Sequence, residues 1–468
     1  MGPIFSKVFS LGKQVKDIVY SAMFERNSSS LLRDSAQPTC TDERVWTLSV
    51  WVKRPSIGYT ADALLSGYAN TSNYDGVYFS ITNNIRFYSV IGGLEVSYVQ
   101  TVETFTDRTK WYHVVVAYDS TETTATDRMK IWVDGVAQTL TFTTGITLNT
   151  NTYTNNGTSL LSLGFAYLGA NYYAKLLLSE FHFIDGQALT PADFGYNGPG
   201  SVWTPLTYTG TYGANGRYCD FSDNGASGAN LGLDSSGNGN HFTDTVTGFG
   251  TDHQYTDTPT DNHANLVLTS LGYIYDGGVY TYRTSLAGHE GFYSQVDLKG
   301  HGKFYWEYYA TTDVTPITQI AMGVCNAQKL ARYATDTMTN ISTDNGYLDW
   351  AGWTTFNDPS IVDDGSVTVT GDPSDPVAGE VIQVALDAIN NKLWIGRDND
   401  WYNSSGGITG DPAAGTNATC DLSTGFDAFY PCMVRVRGEA IANFGASGAF
   451  AYTPPSGFTA PSEKNFTA

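Results

Sequence analysis

Short segments in which apolar and polar residues alternate recur from residue 45 onward, and they constrain the fold more than any other feature of the chain. In the first segment, VWTLSVWVKR, the side chains of Trp46, Leu48 and Val50 share one face. A later segment, DRMKIWVDGVAQTLTF, contains a tight turn at Asp134 and Gly135. A period of two is typical of strands with one buried face, and such turns join antiparallel neighbours. The sequence therefore predicts a mainly β protein built from antiparallel β-sandwiches.

Length and charge limit the organisation and the partners of the chain. It has 468 residues, which favours two domains, and a formal net charge of −21. An acidic surface repels phosphate backbones, so we do not expect nucleic acid as a partner. The sequence contains no run of 18 apolar residues, so we do not expect a membrane-spanning helix either.

The five cysteines form no C-x-x-C pair, so the sequence supports neither a zinc site nor a disulfide framework. We predict free, buried thiols, as in a protein that folds in a reducing cytosol. A bond between Cys420 and Cys432 is the alternative. No metal is predicted from the histidines either, because His241, His253 and His263 are widely spaced.

The N-terminal segment, MGPIFSKVFSLGKQVKDIVYSAMF, places apolar residues at three- and four-residue steps, while three lysines lie off that stripe. This spacing predicts a short amphipathic helix within a first region, residues 1–38. A lone helix cannot bury its stripe, so we predict that it attaches the chain to an assembly; docking on its own domain is the alternative. Three lysines attract a membrane surface only modestly. The predicted docking residues are Ile4, Val8, Leu11, Val15 and Ile18.

Four segments resemble, in order, a LamG-type, concanavalin A-like jelly roll: WTLSVWVKRPS, WYHVVVAYDST, RMKIWVDGVAQ and LLLSEFHFIDGQALTPADFG. A fifth, YCDFSDNGASGANLGLDSSGNGNHFT, is similar to the variant found in structural proteins of tailed bacteriophages. The resemblance implies a β-sandwich domain, which we place at residues 39–245. Residues 246–265 are polar and interrupted by Gly248, Gly250 and Pro259, which is typical of a linker.

The stretch SEFHFIDGQALTPADFG carries the side chains that an enzyme would need. Glu180 and His182 share a strand face opposite Phe181 and Phe183, while Asp185 begins a turn. A second turn, Thr190-Pro191-Ala192-Asp193, is typical of a short capped helix. Glycosidases need two carboxyl groups about 5–9.5 Å apart across the sugar, and no E-x-D-x-E cluster occurs. We therefore interpret the stretch as structural and predict no catalytic residues.

Calcium is the one ligand that a laminin-type domain suggests, and no other cofactor is predicted. The oxygen-rich candidates are Asp75, Asp134 and the loop 234–240, DSSGNGN. None of them has a complete calcium-loop spacing, so ordinary Asx turns are the alternative.

The last part of the chain is similar to a SPRY domain, through GKFYWE, GEVIQVALD, KLWIGRD and FAYTPPSGF. We place this second sandwich at residues 266–468; the resemblance implies partner recognition through loops rather than catalysis. Aromatic rings beside Asp and Asn are typical of sugar contacts. The candidate glycan or receptor contacts are Tyr172, Tyr173, Trp350, Trp353, Trp401 and Tyr402, with burial beneath loops as the alternative.

LamG-like and SPRY-like domains in tandem resemble a virion protein of a tailed bacteriophage. The resemblance implies a tail fibre or receptor-binding adhesin that recognises a host surface glycan or protein. It also implies a homo-oligomer, which is a trimer in most fibres, and assembly in the host cytoplasm. The N-terminal segment, hereafter the arm, would attach the chain to other virion proteins. A capsid fibre or decoration without a ligand, and a glycan depolymerase, are the alternatives.

Overall fold

The chain divides into two compact units, Met1–Thr260 and Asp261–Ala468, each described by itself. The boundary falls within the predicted linker. The computed structural model describes residues 14–25, 32–34, 39–55, 57–198, 201–223, 230–242, 244–245, 253–263, 266–268, 273–275, 280–282, 290–294, 296–310, 320–325, 350–354, 360–363, 366–370, 379–422, 426–435, 440–445, 450–462 and 465. Among the described residues most of the regular secondary structure is β-strand and the helices are short 3-10 turns, which confirms the predicted mainly β fold.

The described part of the first unit contains twenty strands, and short 3-10 helices lie at Ala125–Asp127, Pro191–Asp193 and Asn230–Gly232. The strands are β1 (Ser21–Phe24), β2 (Leu32–Arg33), β3 (Val45–Lys53), β4 (Ala61–Asn70), β5 (Asn73–Ser80), β6 (Ile85–Ile91), β7 (Leu94–Thr101), β8 (Trp111–Asp119), β9 (Met129–Val133), β10 (Val136–Ala137), β11 (Leu140–Thr144), β12 (Leu160–Leu163), β13 (Phe165–Tyr167), β14 (Asn171–Tyr173), β15 (Leu176–Asp185), β16 (Gly195–Asn197), β17 (Trp203–Pro205), β18 (Arg217–Cys219), β19 (Asp244–Thr245) and β20 (Gln254–Tyr255).

Two large antiparallel sheets form the first sandwich. One has the order β10-β9-β8-β3-β15-β1-β20, with β18 also paired to β15, and the other has the order β11-β7-β6-β5-β4-β12-β2-β19. Trp46, Leu48 and Val50 from β3 are fully buried in one core with Val77 and Phe87 from the opposite sheet. The alternation in the sequence therefore predicts the inner face of β3 correctly. The β-hairpin between β9 and β10 turns at Asp134 and Gly135, as predicted.

The described part of the N-terminal arm is extended, so the predicted helix is wrong for residues 14–24. Strand β1 is inserted between β15 and β20, and Ala22 and Phe24 are buried in the sandwich core. The physical reason is that Tyr20, Ala22 and Phe24 also alternate, and an open strand position in a sheet satisfies the backbone as well as the side chains. Docking of the arm on its own unit, the alternative, holds for this segment.

Burial of the arm changes the predicted attachment residues. Ile18 is buried against its own unit, at 1% exposure, so it is removed from any surface that another protein could contact. Val15 remains 47% exposed. Ile4, Val8 and Leu11 lie outside the described residues.

The second unit is a separate pair of antiparallel sheets. Its strands are β21 (Leu266–Leu268), β22 (Tyr273–Tyr275), β23 (Tyr280–Tyr282), β24 (Glu290–Ser294), β25 (Lys303–Ala310), β26 (Ile320–Cys325), β27 (Trp350–Thr354), β28 (Ser360–Asp363), β29 (Ser366–Thr370), β30 (Val381–Asp387), β31 (Lys392–Arg397), β32 (Asp400–Trp401), β33 (Cys420–Asp421), β34 (Tyr430–Arg435) and β35 (Ala440–Asn443). The sheet orders are β21-β24-β34-β26-β27-β28-β29 and β22-β23-β35-β25-β30-β31-β32, with β33 also paired to β31. Trp306 and Val384 of one sheet share a core with Met322 and Met433 of the other, which makes this unit a second sandwich.

All five cysteines are free thiols, and all except Cys40 are buried. The prediction of free thiols is confirmed, its burial part holds for every cysteine except Cys40, and the alternative bond between Cys420 and Cys432 is not formed. Within the described ranges, no helix is long and apolar enough to cross a membrane.

Candidate functional site

The outer face of the first sheet of the first unit is covered by the described part of the arm and by residues 194–198 and 201–213. The Lys16 amide donates to the Pro205 carbonyl oxygen at 3.1 Å, and the Thr207 amide donates to the Gln14 carbonyl oxygen at 2.8 Å. Beneath this cover, Val115, Ile184 and Phe194 form a small apolar cluster outside the main core. These segments, hereafter the cover, are therefore held against the sheet by hydrogen bonds to each other and by apolar packing.

Trp203 fixes the cover in place. Its indole N–H donates to Nδ1 of His113 at 2.9 Å, so Nδ1 is an acceptor and Nε2 donates to the Ser49 hydroxyl at 2.9 Å. Burial lowers the pKa of His113 to about 3, which keeps the ring neutral and this arrangement intact at neutral pH. The Trp203 ring also lies 2.3 Å from where a Cβ of Gly135 would stand, so only glycine fits there, at φ +77°.

Beside the cover lies a cleft of about 770 Å³, which is within the usual size range of ligand pockets. We name it the tyrosine cleft. It is lined by Lys16 of the arm, Glu180 and His182 of β15, residues 207–214 with Tyr208 and Tyr212, Tyr218 of β18, and Ser235, Ser236 and Asn238.

A β-bulge positions Glu180 in this cleft. The pairing of β15 with β3 shifts by one residue between Ser179 and His182, and Glu180 takes the left-handed conformation at φ +48°. A non-glycine residue with such a φ in the middle of a strand is strained, and strain of this kind is concentrated at functional sites. The bulge keeps Phe181 and Phe183 in the core while Glu180 and His182 line the cleft, on the faces that alternation predicted.

Glu180 is a buried carboxylate with few protein partners. Its side chain is 8% exposed, and its two oxygens lie 2.9 and 2.8 Å from the Tyr218 hydroxyl, which donates one hydrogen. Lys16 Nζ and His182 Nε2 lie farther off, at 3.8 and 3.7 Å. A carboxylate has about four acceptor sites, so Glu180 keeps acceptor capacity toward the cleft.

Aromatic rings make up a large part of the cleft lining. The His182 ring stacks on Tyr218 at 4.3 Å and 1°, and His182 Nδ1 hydrogen-bonds the Tyr212 hydroxyl at 2.9 Å. Burial raises the pKa of Tyr218 and of Tyr212, and that of Tyr208 to about 12. The phenols therefore stay neutral at physiological pH, so they can present ring faces and hydroxyl groups to a ligand.

This chemistry suits binding better than bond cleavage. Among the described residues that line the cleft, Glu180 is the single carboxylate, whereas glycosidic hydrolysis commonly uses two at about 5–9.5 Å. Tyr218 contacts Glu180 but its raised pKa opposes formation of a phenolate nucleophile.

The structure does not bring the sequence-predicted glycan contacts together. Tyr172 and Tyr173 lie half-buried in β14 of the first unit, where the Tyr173 ring packs on Phe165 at 5.2 Å. In the second unit Trp401 is half-buried and Tyr402 is 7% exposed, because its ring belongs to the core. Trp350 and Trp353 lie in strand β27, where their backbones pair with Cys325 and Met322; their side chains are outside the described part.

Two of the calcium candidates are engaged by protein donors. The carboxylate of Asp134 accepts from the His113 amide at 2.8 Å and lies 2.7 Å from Lys110 Nζ. The carboxylate of Asp234 accepts from the amides of Tyr218, Ser236 and Asn240 at 2.8–2.9 Å, as in an Asx turn. No group of three or more metal-ligating side chains is present among the described residues.

The third candidate, Asp75, is fully buried among neutral donors. The Tyr153 amide and the Thr154 hydroxyl donate to its two oxygens. No cationic group pairs with Asp75 among the described residues, so its charge would be poorly compensated, and burial raises the pKa of Asp75 to about 7.

Raising the pH should therefore destabilise the first unit at this position. The folded state holds the proton of Asp75 up to a pH of about 7, whereas an unfolded aspartate loses it near 3.9, so stability falls as the pH rises through the folded pKa. Between pH 5 and pH 8 we expect a loss of about 2–3 kcal/mol relative to the Asp75→Asn variant. Chemical denaturation of both proteins at the two pH values measures this loss. An equal difference between them at both pH values would refute it.

Residues that sequence reasoning missed make most of the tyrosine cleft. Tyr208, Tyr212 and Tyr218 fall within TYTGTYGANGRYCDF, and their recurrence among Gly and Thr was the available signal. Glu180 and His182 were noted but interpreted as structural. Asp185 and Asp193 do have the structural roles predicted: Asp185 accepts from the Thr41 amide at 2.6 Å, and Asp193 accepts from the Thr190 amide at 3.2 Å at the start of a 3-10 helix.

Residues 28–193 match the family described as the Concanavalin A-like lectin/glucanases superfamily. No curated protein matches the chain. Among solved structures, mouse laminin alpha1 chain domains LG4-5 are similar at 10% identity over 95% of this chain and 96% of that chain, with a TM-score of 0.30. The SPRY domain of human HERC1 is similar at 12% identity over 37% and 92%, with a TM-score of 0.26. The native heptameric SAP-like pentraxin from Limulus polyphemus is similar at 14% identity over 37% and 78%, with a TM-score of 0.27. The family match includes β15, so the cleft lies on a concanavalin A-like sandwich.

Proposed function

We propose that this protein is a non-enzymatic adhesin that binds a saccharide in the tyrosine cleft of its first unit. The observation that carries the proposal is the cleft itself, which three half-buried tyrosines and a buried carboxylate line together on a lectin-like sandwich. Ring faces pack on the C–H groups of a sugar, while Glu180, Asn238 and the serines at 235 and 236 offer hydrogen bonds to its hydroxyl groups.

The setting that we propose is the particle of a tailed bacteriophage, as a tail fibre or receptor-binding protein that contacts a host surface glycan. Support comes from the order of the LamG-like and SPRY-like segments in the sequence. Several weak sites on a trimer or another homo-oligomer would give avidity. We assign the attachment to other virion proteins to the part of the arm that contains Ile4, Val8 and Leu11, together with the exposed Val15.

A cleft variant tests the proposal. Tyr212→Ala removes a ring from the cleft wall, and we expect it to weaken saccharide binding roughly tenfold, the magnitude of one aromatic stacking contact. Binding is measured by glycan array and then by titration with the best saccharide. Tyr172→Ala, a half-buried tyrosine of the same unit, is the matched control and should retain binding. Loss of binding in Tyr172→Ala with full binding in Tyr212→Ala would show that the saccharide binds outside the tyrosine cleft.

A further inference from the structure

We infer that Glu180 selects the saccharide: the cleft takes a neutral sugar that presents two neighbouring hydroxyl groups, and it rejects sugars that carry a carboxylate. This inference rests on the proposed function of the cleft. It extends that proposal by naming the chemical class of the ligand and the residue that discriminates.

The Glu180 carboxylate can accept more hydrogen bonds than the protein donates to it. The described residues around it supply one hydrogen-bond donor, the Tyr218 hydroxyl, while Lys16 Nζ and His182 Nε2 lie at 3.8 and 3.7 Å. A buried carboxylate is stabilised when further donors reach it. Two neighbouring sugar hydroxyl groups match the spacing of two carboxylate oxygens, and each can donate to one of them.

The charged groups at the tyrosine cleft produce a negative electrostatic field. The Glu180 side chain is 8% exposed and that of Lys16 is 29% exposed, so solvent screens the negative charge less than the positive one. Asp234 adds to the negative field: burial is the main cause that raises the pKa of Tyr212, and the charges of Glu180 and Asp234 raise it further. A ligand carboxylate would enter against this field, and the chain as a whole carries a net charge of −21.

The backbone conformation at Glu180 also indicates a residue that contacts a ligand. Glu180 stands at φ +48° within a bulge of β15, and the bulge aims its carboxylate into the cleft. A residue that only filled the strand would not need this conformation. The strained position is therefore what we expect of a residue that contacts the ligand.

Matched sugar pairs test the inference. The methyl glycosides of glucose, galactose and mannose are compared with their 6-carboxylate forms, the corresponding uronates, by titration of the full chain at pH 7. We expect at least one neutral sugar to bind about tenfold or more tightly than its uronate, as repulsion between close, poorly screened charges requires. In Glu180→Gln, which keeps the shape and one acceptor, we expect the ratio to fall to within about threefold.

Glu103→Gln is the matched control, since it removes the same charge from an exposed position of the first unit outside the cleft, and its ratio should stay at the wild-type value. Circular dichroism shows whether each variant is folded. Equal binding of a neutral sugar and its uronate by the wild-type protein would overturn the inference, as would an unchanged ratio in folded Glu180→Gln; either result leaves the proposed function standing. If neither member of any pair binds, the proposed function fails and the inference fails with it.

Discussion

Phe24→Ala should lower the free energy of unfolding of the first unit by about 3–5 kcal/mol, the usual loss for a phenylalanine removed from a core. Phe24 is fully buried in the sandwich core, and its backbone pairs with Leu176 of β15. Its ring lies 2.1 Å from where a Cβ of Gly164 would stand, so the surrounding backbone is fitted to it. Chemical denaturation of the full chain, followed by tryptophan fluorescence, measures the loss.

Val19→Ala is the control for this result, because Val19 is 54% exposed on the same arm. We expect it to change the stability by less than about 0.5 kcal/mol. If Phe24→Ala were as stable as Val19→Ala, the arm could not be part of the sandwich, and residues 14–24 would be available for attachment as the sequence suggested.

Glu307→Ala should destabilise the second unit by about 3–5 kcal/mol, as expected when a buried charge network loses its central member. Glu307 is fully buried in β25 and accepts from the hydroxyl groups of Tyr305, at 2.6 Å, and Tyr309. It also accepts from the amides of Ala451 and Tyr452, at 2.8 and 2.9 Å. The variant leaves these donors without their acceptor and releases the 450–452 segment.

Differential scanning calorimetry measures the effect on the second unit. Asp400→Asn removes a carboxylate from an exposed position of the same unit and should leave its transition temperature unchanged. A transition in Glu307→Ala as high as in the wild-type protein would show that these hydrogen bonds do not hold the segment in place.

Local patterns in the sequence were sufficient for the strands and turns but not for the arm. Trp46, Leu48 and Val50 alternate without a competing period, and the structure buries all three. In the arm, apolar residues fit a helical period, while Tyr20, Ala22 and Phe24 also fit a period of two. The open position between β15 and β20 decides between these patterns, and a local pattern contains no information about that position.

The candidate site was less predictable than the fold because its parts are far apart in the sequence. Lys16, Glu180, Tyr212 and Asn238 meet only after the described part of the arm and residues 194–198 and 201–213 cover the same sheet. The bulge that aims Glu180 depends on its pairing with β3, which alternation alone does not reveal. The sequence did identify the strand and the face on which Glu180 and His182 lie. It did not identify the cleft that these two residues line.

The position of a bound saccharide tests the central claim most directly. We would determine the structure of the full chain in complex with the saccharide that binds most tightly. We expect the sugar ring within about 4 Å of Tyr212, in van der Waals contact, with hydroxyl groups at hydrogen-bond distance from Glu180. A sugar bound instead at Tyr172 and Tyr173, or in the second unit beside Trp401, would contradict it.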